Sequence, residues 1–302
     1  MNKKITNQYD LPHHFYEGIK KTFDKYDRGE ADYSVTELIS PPHQKALQNL
    51  HKDEVSEEAI DLIWALLGTS VHQVLENIEK APEEINSIVE QRYEVMRLGK
   101  CITGQIDLFD KMTKTIWDWK VTSGWSATHG PKAEWTAQLN LLRLIMINQN
   151  VTRSYKPVVD ELKILCIYRD WSKNEAKRSA DYPQKQVGVF SIDVWDNTYA
   201  EEYLLERINS HQEAYEACRA NKQENCTKEE RWHKDDIWAI MKNGAKRATK
   251  LLGNEQEALA YLRDSPGEGL RIEQRPGADV RCDNYCNVNK YCQWYQNLQT
   301  PF

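Results

Sequence analysis

The stretch from Leu98 to Val121 constrains the fold more than any other. Leu98-Gly-Lys-Cys-Ile-Thr-Gly-Gln-Ile-Asp-Leu-Phe-Asp is a strand-like run, Lys111-Met-Thr-Lys reads as a turn, and Thr115-Ile-Trp-Asp-Trp-Lys-Val is a second strand-like run. Two such runs about a short polar turn predict an antiparallel hairpin. Further strands are expected over 161–171 and 187–192. Helical spacing is expected over 56–80, with Ser56 as N-cap and Ile60, Ile63, Trp64, Leu67, Val71, Val74, Leu75 and Ile78 in register, over 132–148 and over 197–220. Ser34 and Glu37 form a capping-box pattern, and Pro41 and Pro42 end that turn and start the next helix. Residues 87–98 read as short and mixed. Helix–β–β–α–β with flanking helices predicts α/β or α+β with a small mixed sheet.

Composition sets the outer limits. The 302 residues are 40% aliphatic, aromatic or Cys and 28% charged, which suits a globular chain with a full core of one large or two ordinary domains. Three segments are expected: a polar lead-in over 1–30, a core over 31–220 and a C-terminal segment over 221–302. No run of about 18 apolar residues argues for a membrane span, and MNKKITNQYD has no apolar stretch of the secretory kind. The expectation is therefore a cytoplasmic protein whose seven Cys are thiols or metal ligands. Forty basic against 46 acidic residues give a net charge of −6, which excludes a general polyanion binder but not one with locally concentrated positive charge.

The hairpin carries the chemistry. Asp107 lies on its first strand, and Asp118 and Lys120, two residues apart, share one face of the second. Two close carboxylates repel unless a cation sits between them. Oxygen ligands select a hard ion, Mg²⁺ or Mn²⁺. Lys120 could orient water or stabilise phosphoryl charge, and Gly104 would allow close approach of backbone or substrate. Taken alone, Asp-Trp-Lys also suits a surface ion pair, His72 a core histidine and Gln138 a solvated side chain.

Together, these pieces resemble the PD-(D/E)XK nuclease superfamily, in particular its RecB-like branch, which includes phage exonucleases and CRISPR adaptation nucleases. The matching residues are Gly68 (one residue earlier than the strict spacing) with His72, Gly104 with Asp107, Asp118 with Lys120, and Gln138. Leu142 stands where the family has Tyr. TELISPPHQKAL and DWKVTSGW look closest to phage-encoded RecB-like exonucleases. The resemblance spans roughly residues 33–300 and implies a restriction-endonuclease-like core. It implies that His72, Asp107, Asp118 and the Trp119 carbonyl ligate Mg²⁺ or Mn²⁺. Lys120 would act on water or the scissile phosphate, and Gln138 would position substrate or Lys120. Glu90, with Glu94 as its rival, is the expected helical acid.

The second constellation is Cys282-x₃-Cys286-x₅-Cys292, dense enough to suit Zn²⁺ or an iron–sulfur cluster, with Cys226 the leading fourth ligand. Unligated thiols are the alternative. Cys101, Cys166 and Cys218 read as small core residues. The resemblance implies a four-Cys 4Fe-4S cluster fastening the C-terminal segment, although relatives place the first Cys before the helix of the motif His and this chain has none there. Lys242, Lys246 and Lys250 are spaced to share one helical face, with Arg247 beside them, which suits phosphate contact or a plain solvated face.

The reading is a metal-dependent exonuclease that cuts linear duplex or single-stranded DNA without sequence specificity. The resemblance implies a setting in phage recombination, beside a single-strand annealing protein in the host cytoplasm. The alternatives are a non-catalytic DNA-binding or inhibitory module and an endonuclease or nickase within a complex.

Overall fold

A computed structural model describes residues 4–23, 30–76, 86–149, 157–264 and 269–299. Strand β1 (Lys4–Thr6) and helix α1 (His13–Phe23) open the described chain, so the expected lead-in holds regular structure. Then come β2 (Tyr33–Ser34), α2 (Val35–Leu38) and α3 (Pro42–Leu50). The capping box forms as expected: the Ser34 hydroxyl accepts from the Glu37 amide at 3.1 Å, and the Glu37 carboxylate accepts from the Ser34 amide at 3.1 Å. Pro42 occupies the first turn of α3, where no amide is needed.

The helix expected over 56–80 starts later. Ser56 is no N-cap: it opens β3 (Ser56–Glu58), which pairs in parallel with β1. A 3₁₀ turn (Ala59–Leu62) leads into α4 (Ile63–Glu76). A long-range contact overrides the local pattern here, because the Glu58 carboxylate accepts from the Thr6 hydroxyl at 2.5 Å and the Gln8 amide at 2.8 Å. Residues 77–80, Ile78 among them, lie outside the described residues.

The main sheet is mixed and six-stranded. Its further strands are β4 (Ser87–Arg97), β5 (Lys100–Asp110), β6 (Thr115–Thr122), β7 (Glu161–Tyr168) and β8 (Val187–Ile192), in the order β2-β5-β6-β7-β8 with β4 on the other edge of β5. The hairpin is β5–β6, as expected. The stretch read as short and mixed is β4, an 11-residue strand antiparallel to β5.

Two local features of this sheet create a site. First, β5 and β6 pair only from Leu108 to Asp110 and then separate. β6 stays with β7 as far as Thr122, while the same edge of β5 is taken up by β2 at Ile102 and Thr103. A gap opens between them at Gly104–Asp107. Second, the core-facing parity changes in both β4 and β5 at one level. Tyr93 and Val95 face the core on β4, but so does Ile88; Ile102 and Ile106 face it on β5, but so does Phe109. The break falls at Glu90 opposite Asp107, where the ladder skips one pair and Glu90 takes a left-handed φ of 48°. A period-2 pattern interrupted in this way is hard to read as a strand.

Helix α5 (Ala133–Asn148) lies between this sheet and α7 (Asn197–Arg219) and is buried on several sides by Trp135, Leu139, Leu141, Leu142, Leu144, Ile145 and Met146. It crosses β5 closely at Gly104, where a Cβ would lie 2.5 Å from Leu142 Cδ2 and 3.1 Å from Val35. A short helix, α6 (Lys173–Arg178), joins β7 to β8. The fold is thus mixed α/β, with a mixed sheet flanked by helices. Among the described residues, no helix is long and apolar enough to cross a membrane.

The C-terminal part departs most from expectation. It contains β9 (His233–Lys234), β10 (Ile237–Lys242), β11 (Lys250–Leu252), α8 (Glu255–Asp264), β12 (Leu270–Arg275), β13 (Ala278–Asp279), α9 (Val280–Asn284) and α10 (Gln293–Gln299). β11, β10 and β12 form an antiparallel sheet. The helical face expected for Lys242, Lys246 and Lys250 therefore does not exist. Asn243-Gly244 turns the chain, with Gly244 at φ 76°. Lys242 ends β10, Lys246 and Arg247 lie in the connection, and Lys250 starts β11. All four are exposed. Val288, fully buried against Ala46, Leu47 and Cys218, fastens the tail to α3 and α7.

Candidate metal centre and active-site cleft

A cleft of about 370 Å³ opens at the gap between β5 and β6. Helix α4 supplies His72, β4 supplies Glu90, β5 supplies Asp107, β6 supplies Asp118 and Lys120, and α5 supplies Gln138. His72 Nδ1 lies 3.6 Å from Asp107 Oδ2 and 3.7 Å from Glu90 Oε1. One ligand atom each of His72, Glu90 and Asp107 falls within 4.8 Å of the others; among the described residues no other His, Cys, Asp or Glu group of three does so.

The parity break turns Glu90 and Asp107 toward His72. Glu90 was expected on a helix, but it sits on a strand, because the break that hides β4 in the sequence also aims this carboxylate. Its second oxygen accepts from Gln105 Nε2 at 2.5 Å, and Arg92 Nη2 donates to Gln105 Oε1 at 3.0 Å. The rival, Glu94, is exposed opposite Thr103 and does not line the cleft. The Arg92–Gln105 support was not foreseen. The break in alternation at Glu90 hid it from the sequence.

Asp107 closes the gap, with Oδ2 accepting the Trp119 amide across the separated strands at 2.8 Å. Burial and the Asp118 charge push its carboxyl up to about 7, against the opposing pull of His72, the Trp119 amide and Lys120. His72 is held above the ordinary histidine value, first by Glu90 and then by the Asp107 and Asp118 charges, against the effect of burial. Asp118 is 3% exposed. Its Oδ2 lies 2.7 Å from Lys120 Nζ, yet in a direction that makes no hydrogen bond. Lys120 donates instead to Gln138 Oε1 at 3.1 Å.

Of the expected ligand set, the structure gathers His72 and Asp107 and adds Glu90. Asp118 turns to Lys120, and the Trp119 contact runs through its amide. The donors fit a hard divalent cation: two carboxylates and one imidazole converge, and one carboxyl is destabilised as an anion. Leu142, which departs from the Tyr that the resemblance implies, is seated on Gly104 and serves packing.

The charges of the tail cysteines act on one another. Burial, Glu230 and the charges of Cys292, Cys282 and Cys286 push the Cys226 thiol up to about 12. Burial, Asp279, Cys286 and Cys292 push Cys282 up to about 11. Cys286 is raised too, by burial first. Cys101 and Cys166 lie on strands, as expected. Cys218 is buried on α7 but has a partner: its sulfur lies 3.4 Å from Nδ1 of His43, whose Nε2 is 3.6 Å from the Cys292 sulfur.

No protein-family model and no curated protein matches this chain. Among solved structures it is similar to the protein SSO0001, at 16% identity and a TM-score of 0.44 over 65% of this chain and 84% of that one. It is also similar to a phage-related exonuclease from Haemophilus somnus 129PT, at 12% identity and a TM-score of 0.34 over 59% of this chain and 82% of that one. The functional reading rests on the geometry of the site.

Proposed function

We propose that this chain is a Mg²⁺- or Mn²⁺-dependent deoxyribonuclease, and specifically an exonuclease on linear duplex or single-stranded DNA. The carrying observation is that His72, Glu90 and Asp107 converge in the same cleft as Asp118, Lys120 and Gln138. The bound ion would polarise a phosphodiester oxygen and acidify water at that point. His72, Glu90 and Asp107 would hold it, and Asp118 lines the same cleft as a further carboxylate. Asp107 would hold the ion as a carboxylate, which requires its proton to be lost to solvent. Gln138 and Asp118 fix the Lys120 ammonium, which stabilises the negative charge that grows on the phosphate during attack. Exonuclease action, the phage setting in host cytoplasm and a single-strand annealing partner follow from the sequence resemblance.

The exposed Lys242, Lys246, Arg247 and Lys250 along the β10–β11 connection suit phosphate contact without base readout. At the tail, Cys226, Cys282, Cys286 and Cys292 are proposed to hold a 4Fe-4S cluster, with Zn²⁺ as the alternative. Four thiols are a donor set that either group takes.

The test is degradation of end-labelled linear and closed circular DNA with Mg²⁺, Mn²⁺ or EDTA, by wild type and Lys120→Ala. Metal-dependent loss of linear DNA alone, lowered by at least about 10²-fold in the variant, is the expected result. Cutting of circles would replace it with the endonuclease reading. Binding without cleavage in any metal would replace it with the binding module.

A further inference from the structure

His43 is not used by the cleft chemistry, yet it is one of the few buried polar side chains, 5% exposed at the start of α3. Both ring nitrogens face thiols: Cys218 on α7 at 3.4 Å from Nδ1, and Cys292 in the tail at 3.6 Å from Nε2. Ala46, Leu47 and Val288 pack in the same buried cluster as Cys218 and Cys292, and the Glu224 charge acts on His43. A neutral imidazole has one donor nitrogen and one acceptor nitrogen. With a thiol on each side, one must give a proton to the ring and the other must receive one from it. The Cys292 charge bears on Cys226, Cys282 and Cys286. Of these four thiols, Cys292 is the one whose charge bears on Cys218.

We propose that Cys218–His43–Cys292 is a hydrogen-bond relay that positions the thiol-held metal centre: the Cys218 S–H donates to Nδ1, so that Nε2–H donates to the Cys292 sulfur as it ligates the metal. The inference rests on the proposed Cys centre. It makes His43 a positioning residue and not a ligand. A metal ligand is oriented and electronically tuned by the groups that hydrogen-bond to it, and hydrogen bonds to the sulfurs are among the factors that set the potential of iron–sulfur clusters. The relay also joins three distant segments, because α3, α7 and the tail each contribute one member.

The test uses the full chain purified without oxygen, as wild type, His43→Leu, His43→Gln and Cys218→Ala. Iron, sulfide and zinc per chain, the sulfur-to-metal charge-transfer bands and the rate of metal loss to EDTA are measured. All variants should load to wild-type stoichiometry. His43→Leu should shift the bands and lose metal about 10–100-fold faster. Cys218→Ala should move both in the same direction by less, and His43→Gln, which keeps an N–H, should restore part of the loss. Unchanged bands and rates in His43→Leu would overturn the relay and leave the Cys centre standing. An empty centre in both His43 variants, with Cys218→Ala loaded as wild type, would overturn it by making His43 a ligand. Wild type without zinc or iron would overturn the Cys centre itself, and the relay with it.

Discussion

Asp107 is where burial and charge conflict most. Its carboxyl is raised to about 7 by burial and by Asp118. A raised carboxyl contributes stability that is complete below the unfolded value of about 4 and is lost as pH rises through about 7. Metal-free protein should therefore lose thermal stability between about pH 4 and 7, and Asp107→Asn should flatten that slope in calorimetry. A slope unchanged in the variant would place the conflict elsewhere. Added Mn²⁺ should raise Tm more at pH 8 than at pH 6, because the ion displaces the proton. Glu90 is a separate case. A non-glycine residue in the left-handed region costs on the order of 1 kcal/mol. Glu90→Gly is thus expected to unfold in urea within about 1 kcal/mol of wild type while Mn²⁺ affinity falls. A larger loss of stability would show that the Gln105 bond outweighs the strain.

At the scale of elements, the separation of β5 from β6 makes the cleft and the approach of α5 to Gly104 closes its floor. Gly104→Ala places a methyl 2.5 Å from Leu142 Cδ2. Overpacking of this kind costs about 1–3 kcal/mol. In a double-mutant cycle with Leu142→Ala the two effects should couple by about 0.5–3 kcal/mol, measured by urea unfolding. Additive losses would mean that α5 retreats as a body. The sequence shows the hairpin because both strands and the turn are local. It hides β4 because Glu90 breaks the alternation, and it hides β10 and β11 because lysines at four-residue spacing mimic a helix until the Asn243-Gly244 turn is weighed.

Over the whole molecule, the tail is bound to the core by polar and apolar contacts together. Arg281 reaches Glu134 at 2.7 Å, Gln48 donates to Asn287 at 2.7 Å, and Val288 fills the space between α3 and α7. Val288→Asp would bury an unpaired charge and is expected to cost on the order of 4 kcal/mol in one cooperative transition. Two separate transitions in that variant would show that the tail unfolds apart from the core.

The sequence by itself determined the identities that chemistry demands: an Asp on one strand, Asp and Lys two apart on the next, a His on the preceding helix, a Gln on the following one and a dense run of Cys. These patterns are local, and side-chain chemistry and spacing carry them. The capping box at Ser34 was legible for the same reason. Only the tertiary structure decided that Glu90 on a strand, and not a helical acid, completes the group with His72 and Asp107. The same holds for Asp118 turning to Lys120 and for His43 standing between two thiols 175 and 249 residues away. Those placements arise where β5 leaves β6 and where α3, α7 and the tail meet. They depend on which distant segments share a core, and short-range periodicity does not record that.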